Sequence, residues 1–143
     1  RLWAISSINI DFFGSNLMII GVGTDIVEVD RIRKAFSRRP EKFRRKILAA
    51  EEIETTPVSR EIEYLAKRFA AKEAISKVLG TGMQFGVSFG DILILTDLKT
   101  GRPLVELKGH AKQQASMKGI NRVLISISDE KDYAMAFAVG LSS

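Results

Sequence analysis

The 143-residue chain contains no cysteine, which excludes a disulfide framework, a thiol nucleophile and a cysteine metal site, and permits a reducing compartment. Cytoplasm is the default expectation. There is one histidine, His110, which follows Gly109 at an expected helix start and reads as a surface residue rather than a catalyst. No apolar run is long enough to span a bilayer, and Asn9, Asp11, Ser15 and Asn16 interrupt any signal-peptide core. A soluble chain without membrane association is therefore expected. Internal repeats, low-complexity tracts and long linkers are missing as well, and 45% hydrophobic content over this length suffices for one compact domain and hardly for two.

What is present in excess is positive charge. The net charge is +5, and Arg31 to Lys46 holds nine Lys or Arg against one acid, Glu41. Such a field raises the local concentration of an acidic partner. A solvated helix face is the plain alternative, and nucleic acid is one candidate partner. Ile32, Phe36, Phe43 and Ile47 are spaced as core contacts rather than as base-stacking platforms, so the interleaving does not favour RNA.

The coarse pattern is α+β. Met18 to Val22 is apolar and β-branched and continues past Thr24 to Val29, as a strand does. Asp30 reads as a helix N-cap, with a helix from Arg31 to Arg38 that stops near Pro40, and Glu41 to Glu54 supplies one or two short helices. The principal helix is expected over Arg60 to Leu79, with an apolar stripe of Ile62, Leu65, Phe69, Ala70 and Ile75 and with Gly80 as its left-handed C-terminal cap. Strands follow at Ile92 to Thr96 and Leu104 to Leu107, joined by the turn Lys99 to Pro103. A helix over His110 to Lys118 and strands at Arg122 to Ser128 and Tyr133 to Val139 complete the chain.

Two features carry chemistry. Glu73 lies in an apolar helical pattern, Phe69-Ala-Ala-Lys-Glu-Ala-Ile-Ser-Lys77, and an unpaired buried carboxylate costs several kcal/mol, so it needs a cation. Asp25 is a second isolated acid, after Gly21-Val-Gly23. The pair suggests a two-carboxylate metal site, although Glu73 and Lys77 also have the spacing of an exposed i,i+4 ion pair. Gly21-Val-Gly23 lacks the rest of a phosphate-binding fingerprint, so a tight bend is the expected role.

Met18-Ile-Ile-Gly-Val-Gly-Thr-Asp-Ile-Val-Glu-Val-Asp-Arg-Ile32 and Leu65-Ala-Lys-Arg-Phe-Ala-Ala-Lys-Glu-Ala-Ile-Ser-Lys-Val-Leu-Gly-Thr-Gly82 resemble the two signature blocks of holo-acyl-carrier-protein synthases. Looser blocks occur at Phe43 to Leu48 with Glu52 and at Ser126 to Ala134. The resemblance runs from about Met18 to Leu141, so residues 1–17 are expected to be an extension and 18–143 the family domain. Asp129 stands where many relatives carry histidine, and Lys46 where arginine is usual.

The resemblance implies a phosphopantetheinyl transferase-like fold, a small, mainly antiparallel sheet packed with one long helix and several short ones. The implied activity, in support of fatty acid biosynthesis, is transfer of 4'-phosphopantetheine from coenzyme A to a serine of apo-acyl carrier protein, releasing adenosine 3',5'-bisphosphate. Asp25 and Glu73 would hold Mg²⁺, or Mn²⁺ in its place, since Mg²⁺ typically takes one or two carboxylates and completes its shell with phosphate oxygens and water. Either Glu73 or a metal-bound water held by Asp25 could accept the serine proton. Lys77 would meet a coenzyme A phosphate and share in catalysis, with Arg68 as a further candidate, and Gly80, Thr81 and Gly82 would form the turn beside the coenzyme. Arg31, Arg38 and Arg39 resemble the docking surface for the acidic carrier protein. A chain of this size is expected to complete its active site between subunits of a homotrimer. Readings from other classes are a non-enzymatic nucleic-acid-binding domain on the basic stretch and a metal-dependent phosphohydrolase on the carboxylate pair.

Overall fold

The computed structural model describes residues 10–12 and 15–142. Of the expected 1–17 extension, residues 1–9, 13 and 14 lie outside the described residues, as does Ser143 at the end of the expected domain. Strand β1 (Ile10–Phe12) pairs with the start of β2 (Ser15–Glu28), so the boundary expected at Met18 falls inside a strand. Helices α1 (Val29–Arg38), α2 (Pro40–Ile47) and α3 (Ala50–Ile53) follow, with Pro40 at the opening of α2, where its missing N–H costs nothing. The principal helix α4 (Glu61–Val78) leads through a loop and a 3₁₀ turn at Phe89–Asp91 to the hairpin of β3 (Ile92–Thr96) and β4 (Pro103–Leu107). Helix α5 (Gly109–Met117) and strands β5 (Arg122–Asp129) and β6 (Tyr133–Ser142) close the chain.

The antiparallel strands divide between a four-stranded sheet in the order β1-β2-β6-β5 and the two-stranded β3-β4 sheet. Helix α4 packs on β2 and β6. Small residues make much of the contact, with Ala66, Ala70, Ala71 and Ala74 of the helix fully buried and Ala134, Ala136 and Ala138 alternating inward along β6, and Val78 packs against Gly140. On the other face of that sheet Val22, Ile26, Tyr133, Met135 and Phe137 are exposed. Ile32 and Ile47 are core residues, and Phe36 meets Phe43 edge-to-face at 6.5 Å, as their spacing suggested. No helix among the described residues is long and apolar enough to cross a membrane.

Two local expectations are corrected. Asp30 is not an N-cap: α1 begins at Val29, whose N–H donates to the Asp132 carbonyl at 2.9 Å, and the Asp30 carboxylate turns to Arg33 and Lys34 one helical turn on. Gly21 and Gly23 do not make a bend. Both lie within β2, which has only a bulge between Ile19 and Gly21, and their role is set by the helix beneath them.

Candidate active site

Residues 21, 23, 25 and 27 share one face of β2, because side chains alternate along a strand, and that face lies on α4. A Cβ on Gly23 would sit 2.1 Å from the Ala74 carbonyl oxygen, and one on Gly21 would sit 2.9 Å from that of Val78. Only glycine lets strand and helix approach this closely. Asp25, two residues past Gly23, is thereby carried to the part of α4 that presents Glu73 and Lys77.

Lys77 donates to the Thr24 carbonyl at 2.8 Å and to Asp25 Oδ1 at 3.3 Å. Its ion pair therefore runs from helix to strand rather than along the helix to Glu73. The Glu73 carboxyl is half-buried and held above the usual carboxylate range, chiefly by burial and then by the like charge of Asp25, with Lys77 and Arg31 pulling the other way. Two adjacent carboxylates, one of them costly to ionise, form a site that a hard cation would relieve. Among the described residues no third acid, His or Cys joins them in a cluster, a donor set that fits a Mg²⁺ drawing its remaining ligands from water and phosphate.

At the end of α4, Gly80 has φ +73° and Gly82 φ +57°. The Thr81 and Gly82 N–H groups fold back onto the Ser76 carbonyl at 3.3 and 3.2 Å, and the Thr81 hydroxyl donates to the Gly82 carbonyl at 2.7 Å. Gly80 is the left-handed cap its position suggested, and the space beside Gly82 is open. The ammonium of Lys118, the residue that follows α5, overlies Gly80, a basic neighbour that the sequence pattern did not indicate.

Arg68 lies elsewhere. Five residues before Glu73, it points about 140° around the helix from it, stacks over the Tyr64 ring at 4.5 Å and approaches Glu52 Oε2 at 3.6 Å. It also borders a recess of about 300 Å³ shared with Lys67, Pro103, Ser126 and Asp129. Arg31 and Arg38 line a groove of about 570 Å³ with Ile26, Lys34 and Tyr133, while Arg39 follows the end of α1 outside the groove lining. His110 is exposed, its ring against the Gly86 backbone.

The charge most deeply buried on α4 is Lys72, which sequence reasoning passed over in favour of Glu73. Its side chain is 0% exposed, ion-paired with the equally buried Glu52, and it donates to the Ile47 and Phe89 carbonyls at 2.7 and 3.0 Å. Glu52 also accepts from the N–H groups of Ala49 at 2.9 Å and Ile94 at 3.3 Å. Burial draws the Lys72 ammonium below its ordinary range, and Glu52 offsets part of that. The signal available was Lys72 itself, a charge within the same apolar pattern.

Residues 21–138 match the family model of the 4'-phosphopantetheinyl transferase superfamily. The chain is 50% identical over 123 residues to the holo-[acyl-carrier-protein] synthase of Vibrio cholerae, a match covering 85% of this chain and 97% of that protein. Among solved structures it is similar to the holo-ACP-synthase of Plasmodium yoelii, with a TM-score of 0.80 and 38% identity over 90% of this chain and 99% of that one. It is also similar to the holo-[acyl-carrier-protein] synthase of Helicobacter pylori in complex with coenzyme A, with a TM-score of 0.73 and 34% identity over 83% and 98% of the two chains.

Proposed function

The chain belongs to the 4'-phosphopantetheinyl transferase superfamily, and from that premise we propose that it transfers 4'-phosphopantetheine from coenzyme A to a serine of apo-acyl carrier protein. The products are holo-acyl carrier protein and adenosine 3',5'-bisphosphate. The serine oxygen attacks the phosphorus that bears the pantetheine, the bond from that phosphorus to the nucleotide bisphosphate breaks, and the serine proton passes to a base. Family membership sets aside the nucleic-acid-binding and phosphohydrolase readings. The observation that carries the reading is the convergence of Asp25, Glu73 and Lys77 across Gly23.

Asp25 and Glu73 are the residues to hold Mg²⁺ or Mn²⁺, which when bound would neutralise charge on the pyrophosphate and orient it for in-line attack. Lys77 offers the coenzyme a mobile point charge, its side chain being half exposed. Thr81 and Gly82, with Gly80, form the turn that receives the pantetheine or nucleotide, and the open space beside Gly82 supports close approach. Glu73, or a water held by Asp25, takes the serine proton. Arg31, Arg38 and Arg39 meet the acidic carrier, and the groove beside α1 supports this for the first two. The family domain is taken as 18–143, within which the match at 21–138 falls, and the cytoplasm as its compartment.

The active assembly is a homotrimer. Its support is the apolar face of the four-stranded sheet, where Val22, Ile26, Met135 and Phe137 are 57%, 64%, 43% and 46% exposed, a contiguous surface that single chains in water rarely leave open. A neighbouring subunit would then complete the coenzyme site, and Arg68 at its separate recess would contribute from across the cleft. Incubation with coenzyme A, Mg²⁺ and apo-carrier protein, followed by mass spectrometry, should show the phosphopantetheine increment on the carrier. No increment would overturn the assigned reaction, and a fully active monomer by light scattering would overturn the shared cleft.

A further inference from the structure

We propose that the buried Glu52–Lys72 ion pair is a positioning device for the transfer reaction, fixing the rotation of α4 and with it the aim of Glu73 at Asp25. This rests on the reading that those two carboxylates act together. Where α4 meets the sheet, buried alanines of the helix lie against Gly21, Gly23 and the inward alanines of β6. Small residues permit close approach, and the larger buried residues of the helix, Leu65, Ile75 and Val78, resist a turn about its axis through apolar contacts that carry no direction of their own. Each residue of rotation is 100°, so a slight turn swings Glu73 away from Asp25.

Lys72, the residue directly before Glu73, supplies the missing direction. Its ammonium is tied to the end of α2 through Ile47, to α3 through Glu52 and to the 3₁₀ turn through Phe89, and Glu52 ties the cluster to β3 through Ile94. Stability alone does not account for such a pair, because apolar residues of similar volume are often as stable. Directed hydrogen bonds from three elements specify one rotation, which apolar packing of alanines does not.

The test is Lys72→Met/Glu52→Gln, which removes both charges of the pair, leaves an amide oxygen to accept from the Ala49 N–H and takes from Arg68 the carboxylate 3.6 Å away, so Arg68→Ala is assayed beside it. Assayed in full-length protein with coenzyme A, Mg²⁺ and apo-carrier, at a temperature where circular dichroism shows it folded, the double variant should lose about 10- to 100-fold in kcat. The carrier KM should stay close to wild type while the Mg²⁺ concentration for half-maximal activity rises several-fold, a shift that loss of folded protein would not produce, since it lowers apparent kcat alone. An unchanged Mg²⁺ requirement would overturn the proposal. Glu52→Asp, which keeps the charge and withdraws it by one methylene, should show a smaller loss of the same kind. Wild-type kcat in the folded double variant, a change confined to KM, or failure of both variants to fold would each overturn the proposal. Full activity in Asp25→Asn would instead overturn the site reading on which it rests.

Discussion

Helix α4 carries two sets of charges whose circumstances are opposite. On one side Lys72 meets Glu52 in full burial, and each makes further hydrogen bonds to backbone groups from several elements. On the other, Asp25 and Glu73 repel one another at the edge of solvent, with the half-exposed Lys77 bridging only to Asp25. The first cluster is answered within the protein, so its charges serve structure. The second leaves a carboxylate costly to ionise, and that residual cost is what a bound cation or an arriving proton can relieve. One helix thus separates charges that hold the fold from charges held ready for a ligand.

The sharpest way to break this comparison is to remove one charge from each side. Asp25→Ala or Glu73→Ala should lower transfer by more than about 100-fold, because several kcal/mol of transition-state charge stabilisation go with the metal. Either should keep its unfolding free energy within about 1 kcal/mol, since only partly exposed interactions are lost. Lys72→Met should do the reverse to stability, costing about 3 kcal/mol in urea unfolding by leaving the buried Glu52 carboxylate without its ammonium partner, with only Arg68 at 3.6 Å to offset its charge. Equal destabilisation by Asp25→Ala and Lys72→Met would erase the distinction between the two regions.

Only part of this contrast was legible in the sequence. Helix α4, the β3-β4 hairpin and the last two strands follow from apolar periodicity and turn residues, and the Gly80 cap from its place after the stripe. Asp25 and Glu73 stood out as isolated acids. The buried pair did not, because Glu52 lies 20 residues before Lys72, and the pattern does not say which of two adjacent charges, Lys72 or Glu73, turns inward. Gly21 and Gly23 have the local pattern of a bend for the same reason: their function is a close approach, and the helix residues they approach, Val78 and Ala74, are distant in sequence. Asp30 has N-cap chemistry, but the tie from Val29 to Asp132 across the β6 hairpin end starts the helix before it.

A smaller perturbation moves one region relative to the other without touching a charge. Gly23→Ala would place a methyl 2.1 Å from the Ala74 carbonyl oxygen, so β2 and α4 must separate. The expected cost is about 1–3 kcal/mol of stability, measured by thermal or urea unfolding. Transfer should fall at least as much as that in free-energy terms, because the same separation parts Asp25 from Glu73. Wild-type kcat in the folded variant would mean that the two carboxylates need not be held by this contact.

The smallest effect tests the electrostatics directly. In metal-free protein the Glu73 carboxyl titrates above its ordinary range, through burial and the Asp25 charge, against the pull of Lys77 and Arg31. A raised folded pKa means that the folded state binds the proton more tightly than the unfolded state does. The stability contributed by this group is therefore fully present below the unfolded value of about 4.3 and is lost as pH rises through the higher folded value. Calorimetric melting in EDTA across that window should show wild type losing stability relative to Glu73→Gln, which cannot ionise and should lack this component. Saturating Mg²⁺ should reverse the sign, because the metal takes the deprotonated carboxylate and its binding strengthens as pH rises. Parallel pH profiles for wild type and Glu73→Gln in EDTA would mean that Glu73 feels neither burial nor Asp25, and the contrast between the two sides of α4 would fail where it is most specific.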